Sequence, residues 1–320
     1  LPIGRRTLVT GASIGIAIAS ITTSASERIL MAADRALYAA KESGRGCFRL
    51  YDNRLHSEHS QKKKLERALH EAVQLDQFEL HFQPKVCANS RKVLGREALI
   101  RWNRPDFGLV YPDDFIPVAE QSLLINEIGR WTIRAACDAA ISWDDNVSVA
   151  VNLSARQFLD PDLVEHIRQS LEQSGLDPAR LEIEITETAL IHNKQLAAAI
   201  LTKLKEVGVQ IALDDFGTGY SSMSYIQTFP FDRIKIDRSF VASMNADRKS
   251  RAIVEAIIHL AHSLDIPVVA EGVETEEQAN ALVTLACEEL QGYLIARPAP
   301  IARIDNALGV KSILAALDAA

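Results

Sequence analysis

The chain has 320 residues, of which 48% are hydrophobic and 24% charged, a composition that excludes a disordered or fibrous protein. A net charge of -7 leaves no broad basic footprint for a nucleic-acid duplex or an anionic membrane, but a small anionic ligand held through metal ions stays open. Cys47, Cys87, Cys137 and Cys287 lie 40 or more residues apart with no C-x-x-C pair, which argues against zinc or a disulfide scaffold and for a reducing compartment.

Arg5-Arg6 ahead of the weakly apolar Leu8 to Ile21 imitate a targeting signal. The chain begins at Leu1 rather than methionine, so a start inside a longer protein is the better reading. No apolar run of about 18 uncharged residues exists to span a bilayer. The expected setting is cytoplasmic, compatible with the cytoplasmic part of a longer, membrane-anchored protein, and no membrane contact is expected from this segment.

Residues 1–52 predict a strand (Ser13 to Ala17), a helix (Ser26 to Glu42), a Gly44-Arg-Gly46 break and a second strand (Cys47 to Tyr51), too little to bury a self-sufficient core. Residues 53–77 predict a connecting helix, with Leu65, Ala68, Leu69, Ala72 and Val73 on one face and Lys62-Lys-Lys64 as a solvated charge run.

From Phe78 short apolar strands alternate with helical stretches, the signature of a β/α architecture. Eight strands are predicted, at 78–83, 92–100, 147–152, 181–186, 209–214, 233–237, 267–271 and 290–294, which suggests a closed barrel over 78–320. About eight residues join the first two, too few for a crossover helix, so a hairpin and one antiparallel strand are expected. Asp160-Pro161 reads as a helix cap and first residue, and Thr275-x-x-Gln278 as a capping box.

Alternation sorts each strand into two faces. In 147–152 the valines oppose Ser148, Ala150 and Asn152, and in 181–186 Leu181, Ile183 and Ile185 oppose Glu182, Glu184 and Thr186. In 209–214 Val209, Ile211 and Leu213 oppose Asp214, and in 233–237 Ile234 and Ile236 oppose Arg233, Lys235 and Asp237. Val268 and Ala270 oppose Glu271, and Glu97 shares a face with Arg101. The outer face of a barrel strand is covered by helices, so these polar faces point inward, and active sites of the fold sit at the carboxyl ends of its strands.

Glu97, Asn152, Glu184, Asp214, Lys235 and Glu271 are therefore expected at one end of one barrel. With Asp215 the group has five carboxylates against one lysine, a formal charge of -4 that two divalent cations would cancel. Oxygen ligands with one amide suit Mg2+ or Mn2+. After Asp214-Asp215, Gly217 and Gly219 permit a turn over whatever the aspartates hold. Taken strand by strand, each alternation also fits a half-exposed antiparallel strand wetted on its polar side; five strands delivering ligand-type residues at one end favour the site.

These words resemble a known family. Glu97-Ala-Leu-Ile-Arg-Trp102 resembles the motif that names the EAL domain, the phosphodiesterase of bacterial cyclic di-GMP signalling. The likeness continues through Phe82-Gln-Pro84, Val151-Asn-Leu-Ser154, Glu184-Ile-Thr-Glu187, Asp214 to Ser222, Lys235-Ile-Asp237, Glu271-Gly-Val-Glu274 and Gln291-Gly-Tyr293. It implies an α/β fold, a modified (β/α)8 TIM-type barrel with one antiparallel strand, and hydrolysis of cyclic di-GMP to linear pGpG with two divalent ions. It also implies that Glu97, Asn152, Glu184 and Asp214 hold one metal, that Asp214 bridges to a second completed by Asp215 and Glu271, and that Lys235, with Glu271, is catalytic. Gln83, Arg101, Asp237 and Gln291 would contact substrate, and Glu187, Glu274, Gly217 and Gly219 would support the site. Glu187 would hold the Phe216 to Ser222 loop, which in the family leads to a dimer interface, so a homodimer is expected. Trp102, Tyr111 and Phe115 are available for stacking on guanine, or for the core. Ser13-Ile-Gly-Ile-Ala17 and Ala33 to Lys41 resemble the C-terminal end of a GGDEF domain, read here as a truncated α+β remnant; no Gly-Gly pair exists, so cyclase activity is not carried over.

Three rival readings meet obstacles in the sequence. A receptor that binds cyclic di-GMP without cleaving it should lack a metal ligand, and none is missing. A Schiff-base enzyme built on Lys235 would want an apolar or cationic setting, not carboxylates. A metal site on His259 and His262 has no third ligand nearby.

Overall fold

The structure, a computed structural model, describes residues 2–3, 6–7, 11–18, 26–51, 53–144, 147–191, 194–218, 226 and 228–304. The chain divides into two compact units, Leu1–His70 and Glu71–Ala320. In the first, β1 (Pro2–Ile3) pairs antiparallel with β2 (Arg6–Thr7), and β3 (Ile14–Ile16) is followed by α1 (Ser26–Glu42) and the parallel strand β4 (Phe48–Leu50). The division falls within α2 (Asn53–Gln74).

The second unit opens with β5 (Phe78–Cys87) and β6 (Val93–Arg104), a long antiparallel hairpin in which Gln83 lies opposite Glu97. A short strand β7 (Gly108–Val110) folds back on β6, and α3 (Pro112–Ser122) and α4 (Leu124–Ala140) follow. Then come β8 (Ser148–Leu153), α5 (Leu163–Ser174), β9 (Leu181–Thr186), α6 (Glu187–Ile191), α7 (Lys194–Val207) and β10 (Gln210–Phe216). The chain continues through β11 (Arg233–Ile236), α8 (Arg238–Ser243), α9 (Arg248–His262), β12 (Val268–Ala270), α10 (Glu276–Thr284) and β13 (Glu289–Gln291).

Strands β6, β8, β9, β10, β11, β12 and β13 pair in parallel from neighbour to neighbour, and β5 closes the ring by pairing antiparallel with both β13 and β6. This is an eight-stranded closed barrel with one reversed strand, as the short first connection requires.

The outward faces carry Val149, Val151, Ile183, Ile185, Ile211, Leu213, Ile234, Ile236 and Val268, all buried in one hydrophobic cluster with the helices. The helices supply the other side of that cluster: α4 contributes Ile133, Ala136, Cys137 and Ala140, the repeat of an amphipathic helix against a sheet. The barrel interior departs from the usual aliphatic filling. Its lower tier, at the amino ends of the strands, is an ion-pair ring: Lys85 Nζ lies 2.6 Å from Glu182, and Arg233 joins Glu182 at 2.7 Å to Glu289 at 2.9 Å.

Three local expectations need correction. The α5 helix begins at Leu163 rather than at Pro161, and Asp160 caps the turn before it by accepting from the Asp162 N–H. Strand β10 runs on through Asp215 to Phe216, and β13 ends at Gln291 rather than at residue 294. The capping box of Thr275 and Gln278 forms as the sequence indicates.

Candidate active site

The upper tier of the barrel holds the candidate residues. Glu97 comes from β6, Asn152 from β8, Glu184 from β9, Asp214 and Asp215 from β10, Lys235 from β11 and Gln291 from β13, with Glu271 just beyond the end of β12. In-register pairing sets Asn152 beside Glu184 and Gln83 beside Glu97. Because β5 runs in the opposite direction, Gln83 near its middle lies directly opposite Glu97 near the middle of β6.

Lys235 is the hub. Its Nζ lies 2.6 Å from Glu184 Oε2, 2.6 Å from Glu271 Oε1 and 3.1 Å from Asp214 Oδ1, and the residue is 1% exposed. Burial disfavours the lysine's charge, but Asp214, Glu184 and Glu271 outweigh it and hold the ammonium well above its usual range. A Schiff-base role, which needs a free amine, is at odds with this setting.

One lysine does not balance the carboxylates. Burial, then the charges of Asp214 and Glu97, push Glu271 up to about 8 against the pull of Lys235. Burial, then Asp214 and Asp237, push Asp215 up to about 6. Glu184 is driven well above the carboxylate range by burial and by Glu97 and Asp214, despite Lys235. Glu97 shifts the other way: burial opposes its ionisation, but Lys235 and hydrogen bonds from Gln291 and Asn152 bring it below the usual range.

Glu184 Oε1 is buried and finds no hydrogen-bond partner among the described residues. Oxygens of Asp214, Asp215 and Glu271 lie within 4.8 Å of one another. Hard oxygen donors, an unmatched buried carboxylate oxygen and excess negative charge fit a divalent cation of the Mg2+ or Mn2+ kind.

The backbone explains how two consecutive aspartates serve one centre. Asp215 has φ 53°, in the left-handed region, and the β10–β11 register shifts between Leu213 and Phe216. This bulge breaks the alternation that would send Asp214 and Asp215 to opposite faces. Gly217, with φ 101°, follows; a Cβ there would lie 3.0 Å from the Phe240 ring of α8, so the turn packs directly on that helix. Gly219 and the rest of the turn to Ser222 lie outside the described residues.

Asn152 and Gln291 donate to the two oxygens of Glu97, and Gln291 also donates to Gln83 Oε1 at 3.2 Å. Gln83 in turn donates to the Ala296 carbonyl at 3.1 Å. Arg101 is buried; it donates to the Ile100 carbonyl at 2.8 Å and stacks 5.1 Å from the centre of the exposed Tyr111 ring. Asp237 caps α8, accepting from the Ser239 N–H at 3.0 Å, and its charge bears on Asp215. Glu187 is buried at the start of α6, and Glu274 is exposed at the edge of the cleft. Trp102 and Phe115 are fully buried against Phe78 and one another, so they belong to the core; Tyr111 alone of the three is exposed. His259 and His262 lie on α9, and His262 pairs with Glu288 at 2.8 Å.

Sequence reasoning overlooked Lys85 and Glu289 in the lower tier, and Arg238 and Tyr293 in the lining of the cleft. The first pair was within reach of the period-two rule, since Lys85 follows Gln83 and Glu289 precedes Gln291 by two residues. Arg238 and Tyr293 lie just past strand ends, where alternation says nothing.

A closed β/α barrel with an acidic centre at the carboxyl ends of its strands belongs to the class of barrel proteins whose chemistry sits at that face. Within that class the chain belongs to the EAL domain family, whose family model matches residues 66–298. It is similar to an uncharacterized signaling protein of Caulobacter vibrioides, 45% identical over 301 residues, which are 94% of this chain and 37% of that protein. It is also similar to the bifunctional diguanylate cyclase/cyclic di-GMP phosphodiesterase MucR of Pseudomonas aeruginosa, 39% identical over 302 residues, 93% of this chain and 44% of that one. The solved complex of the MucR phosphodiesterase with cyclic di-GMP superposes with a TM-score of 0.73 at 40% identity, covering 75% of this chain and 99% of that one. The chain thus spans less than half the length of these two relatives.

Proposed function

We propose that this chain is a metal-dependent phosphodiesterase that hydrolyses cyclic di-GMP to linear pGpG. The observation that carries the reading is the convergence on Lys235 of Glu184, Asp214 and Glu271, with Glu97, Asn152 and Asp215 beside them, in a chain 40% identical to a phosphodiesterase solved with cyclic di-GMP. Glu97, Asn152, Glu184 and Asp214 would hold one divalent ion, and Asp214, Asp215 and Glu271 a second. When bound, such ions supply Lewis-acid polarisation of the phosphodiester and lower the pKa of water.

The chain's own residues do the rest. Lys235 keeps a buried positive charge at the centre and stabilises negative charge building on the phosphoryl oxygens. Glu271, 2.6 Å from the Lys235 ammonium, keeps its carboxylate at the centre, where with that lysine it can orient the attacking water. Gln291 and Asn152 fix the Glu97 carboxylate so that it does not reorganise during turnover. Gln83, Arg101, Asp237 and Gln291 would contact the substrate, and the place of Gln83 and Gln291 in the lining of the cleft supports this for those two.

Residues 1–52 are read as the C-terminal end of a GGDEF domain, 53–77 as a connecting helix and 78–320 as the phosphodiesterase domain, acting in the cytoplasm as a homodimer. The parallel β3–α1–β4 unit supports the first assignment. The test is incubation with cyclic di-GMP and Mg2+ or Mn2+, with and without EDTA. A metal-dependent pGpG product that disappears in Glu97→Ala and Asp214→Ala supports the enzyme; binding without product makes the chain a receptor.

A further inference from the structure

Asn152 differs from the carboxylates around it. It is neutral, so no net charge draws its amide oxygen to a cation, and it is exposed where Glu97, Glu184 and Asp214 are buried. Its Nδ2 is committed to Glu97 Oε1, which leaves Oδ1 as the atom a cation could take. A neutral ligand in contact with water contributes only if its surroundings hold it in place beforehand. Yet β8 ends one residue further on, at Leu153.

The turn after Leu153 is locked. Ser154 N–H donates to Gln157 Oε1 at 2.9 Å and Gln157 N–H donates back to Ser154 Oγ at 3.3 Å, the reciprocal bonding of a capping box, at the head of the single 3₁₀ turn Gln157–Leu159. Gln157 is buried, and its amide fills the hollow left by Gly129 in α4, where a Cβ would collide with it. A glycine inside a helix costs about 1 kcal/mol against alanine, so Gly129 serves this close approach rather than the helix. Ile125, Ile128 and Ile133 are buried on either side of the glycine, which makes α4 a firm seat. We propose that Gln157, seated on Gly129, is a positioning residue that fixes the end of β8 against α4, so that Asn152 presents its Oδ1 to a divalent ion. This rests on the metal-dependent reading above and adds the residue that makes its neutral ligand effective.

The test is the rise in melting temperature of the full chain on titration with Mg2+ from EDTA, without substrate, for the wild type, Gln157→Ala, Gly129→Ala and the double variant. Loss of an outer partner that orients a ligand costs about 10- to 100-fold in metal affinity, so the Mg2+ midpoint of Gln157→Ala is expected to rise at least ~10-fold. Gly129→Ala keeps the glutamine but displaces it, and should raise the midpoint too. Because both act through one contact, the double variant should lie near Gln157→Ala rather than at the product of the two losses. Asp247→Ala, which removes the cap of α9, is the control: it lowers the melting temperature in EDTA and leaves the midpoint where it was. With cyclic di-GMP, kcat/KM of Gln157→Ala falls at limiting Mg2+ and is largely restored at saturating Mg2+. An unchanged midpoint in Gln157→Ala, or losses that multiply in the double variant, makes Gln157 an ordinary cap and overturns the proposal. Wild-type protein that neither gains melting temperature with Mg2+ or Mn2+ nor cleaves cyclic di-GMP overturns the metal-dependent reading itself, which separates the two failures.

Discussion

Asp214 and Asp215 are consecutive residues of one strand, yet their carboxylate oxygens meet within 4.8 Å at one centre with Glu271, because Asp215 adopts a left-handed φ of 53°. That conformation costs a non-glycine residue about 1–2 kcal/mol, and the half-buried carboxylate adds repulsion from Asp214 and Asp237. Asp215→Gly relieves both and gives back part of the gain through the freer unfolded chain. In EDTA the variant is expected to melt about 2–4 °C above the wild type, the shift for ~1 kcal/mol in a domain of this size. Hydrolysis of cyclic di-GMP should fall at least ~100-fold. A variant that is less stable in EDTA would show that the strain is not there.

The upward shifts of Glu271, to about 8, and Asp215, to about 6, set a pH dependence. Each group binds its proton more tightly folded than unfolded, so the folded state holds more protons between the unfolded and folded values and stability falls as pH rises. The window runs from about 4 to 6 for Asp215 and from about 4.5 to 8 for Glu271. In EDTA the protein should be more stable at pH 5.5 than at pH 8.5 by thermal melting. Excess Mg2+ or Mn2+ should narrow or reverse that order, since a cation competes with the protons and a ligand at 100 times its Kd adds about 2.7 kcal/mol. Equal melting temperatures at both pH values in EDTA would contradict the assignment of unbalanced negative charge.

Much of this arrangement is legible in the sequence, for a physical reason. Period-two alternation at Ser148 to Asn152, Leu181 to Thr186 and Arg233 to Lys235 survives because the outer faces must be apolar under helices, so polar residues are left only the interior. Alternation fails where the backbone leaves the pleat. The Asp215 bulge hides how the second aspartate turns inward, and Tyr293, past the end of β13, owes its position to the contact of its loop with Val273. The aromatic residues were ambiguous for a different cause: Trp102 and Tyr111 look alike in sequence, and only the Phe78–Phe115 packing decides which is core.

The lower tier should matter for stability more than for chemistry. Glu182 is fully buried and receives Lys85 at 2.6 Å and Arg233 at 2.7 Å. Glu182→Leu leaves Lys85 buried with only Glu289 at 3.8 Å, and breaking such a pair from one side costs about 3–5 kcal/mol. Adding Lys85→Met removes the stranded charge and should recover most of the loss, giving a strongly favourable coupling in a double-mutant cycle by urea unfolding. Additive single losses would mean that the two side chains do not depend on one another.

Gly292 couples the site to the fold through backbone rather than side chains. A Cβ there would lie 2.1 Å from Val273 O and 2.3 Å from Val273 N, so the Glu271–Val273 segment, the Gln291–Leu294 segment, or both must move apart. The atoms in the way are backbone and cannot rotate aside. Two hydrogen bonds, from Val273 N–H to Gln291 O and from Leu294 N–H to Val273 O, stretch as a result. Gly292→Ala is expected to destabilise by about 1–3 kcal/mol, the usual cost of overpacking. Because Glu271 and Gln291 flank the strained contact, the lost activity should exceed what the fraction unfolded explains. The measurement is kcat at a temperature where circular dichroism shows the variant still fully folded. A folded Gly292→Ala with wild-type kcat would show that the two segments can separate without disturbing Glu271, and that the lysine-centred network alone holds its carboxylate in place.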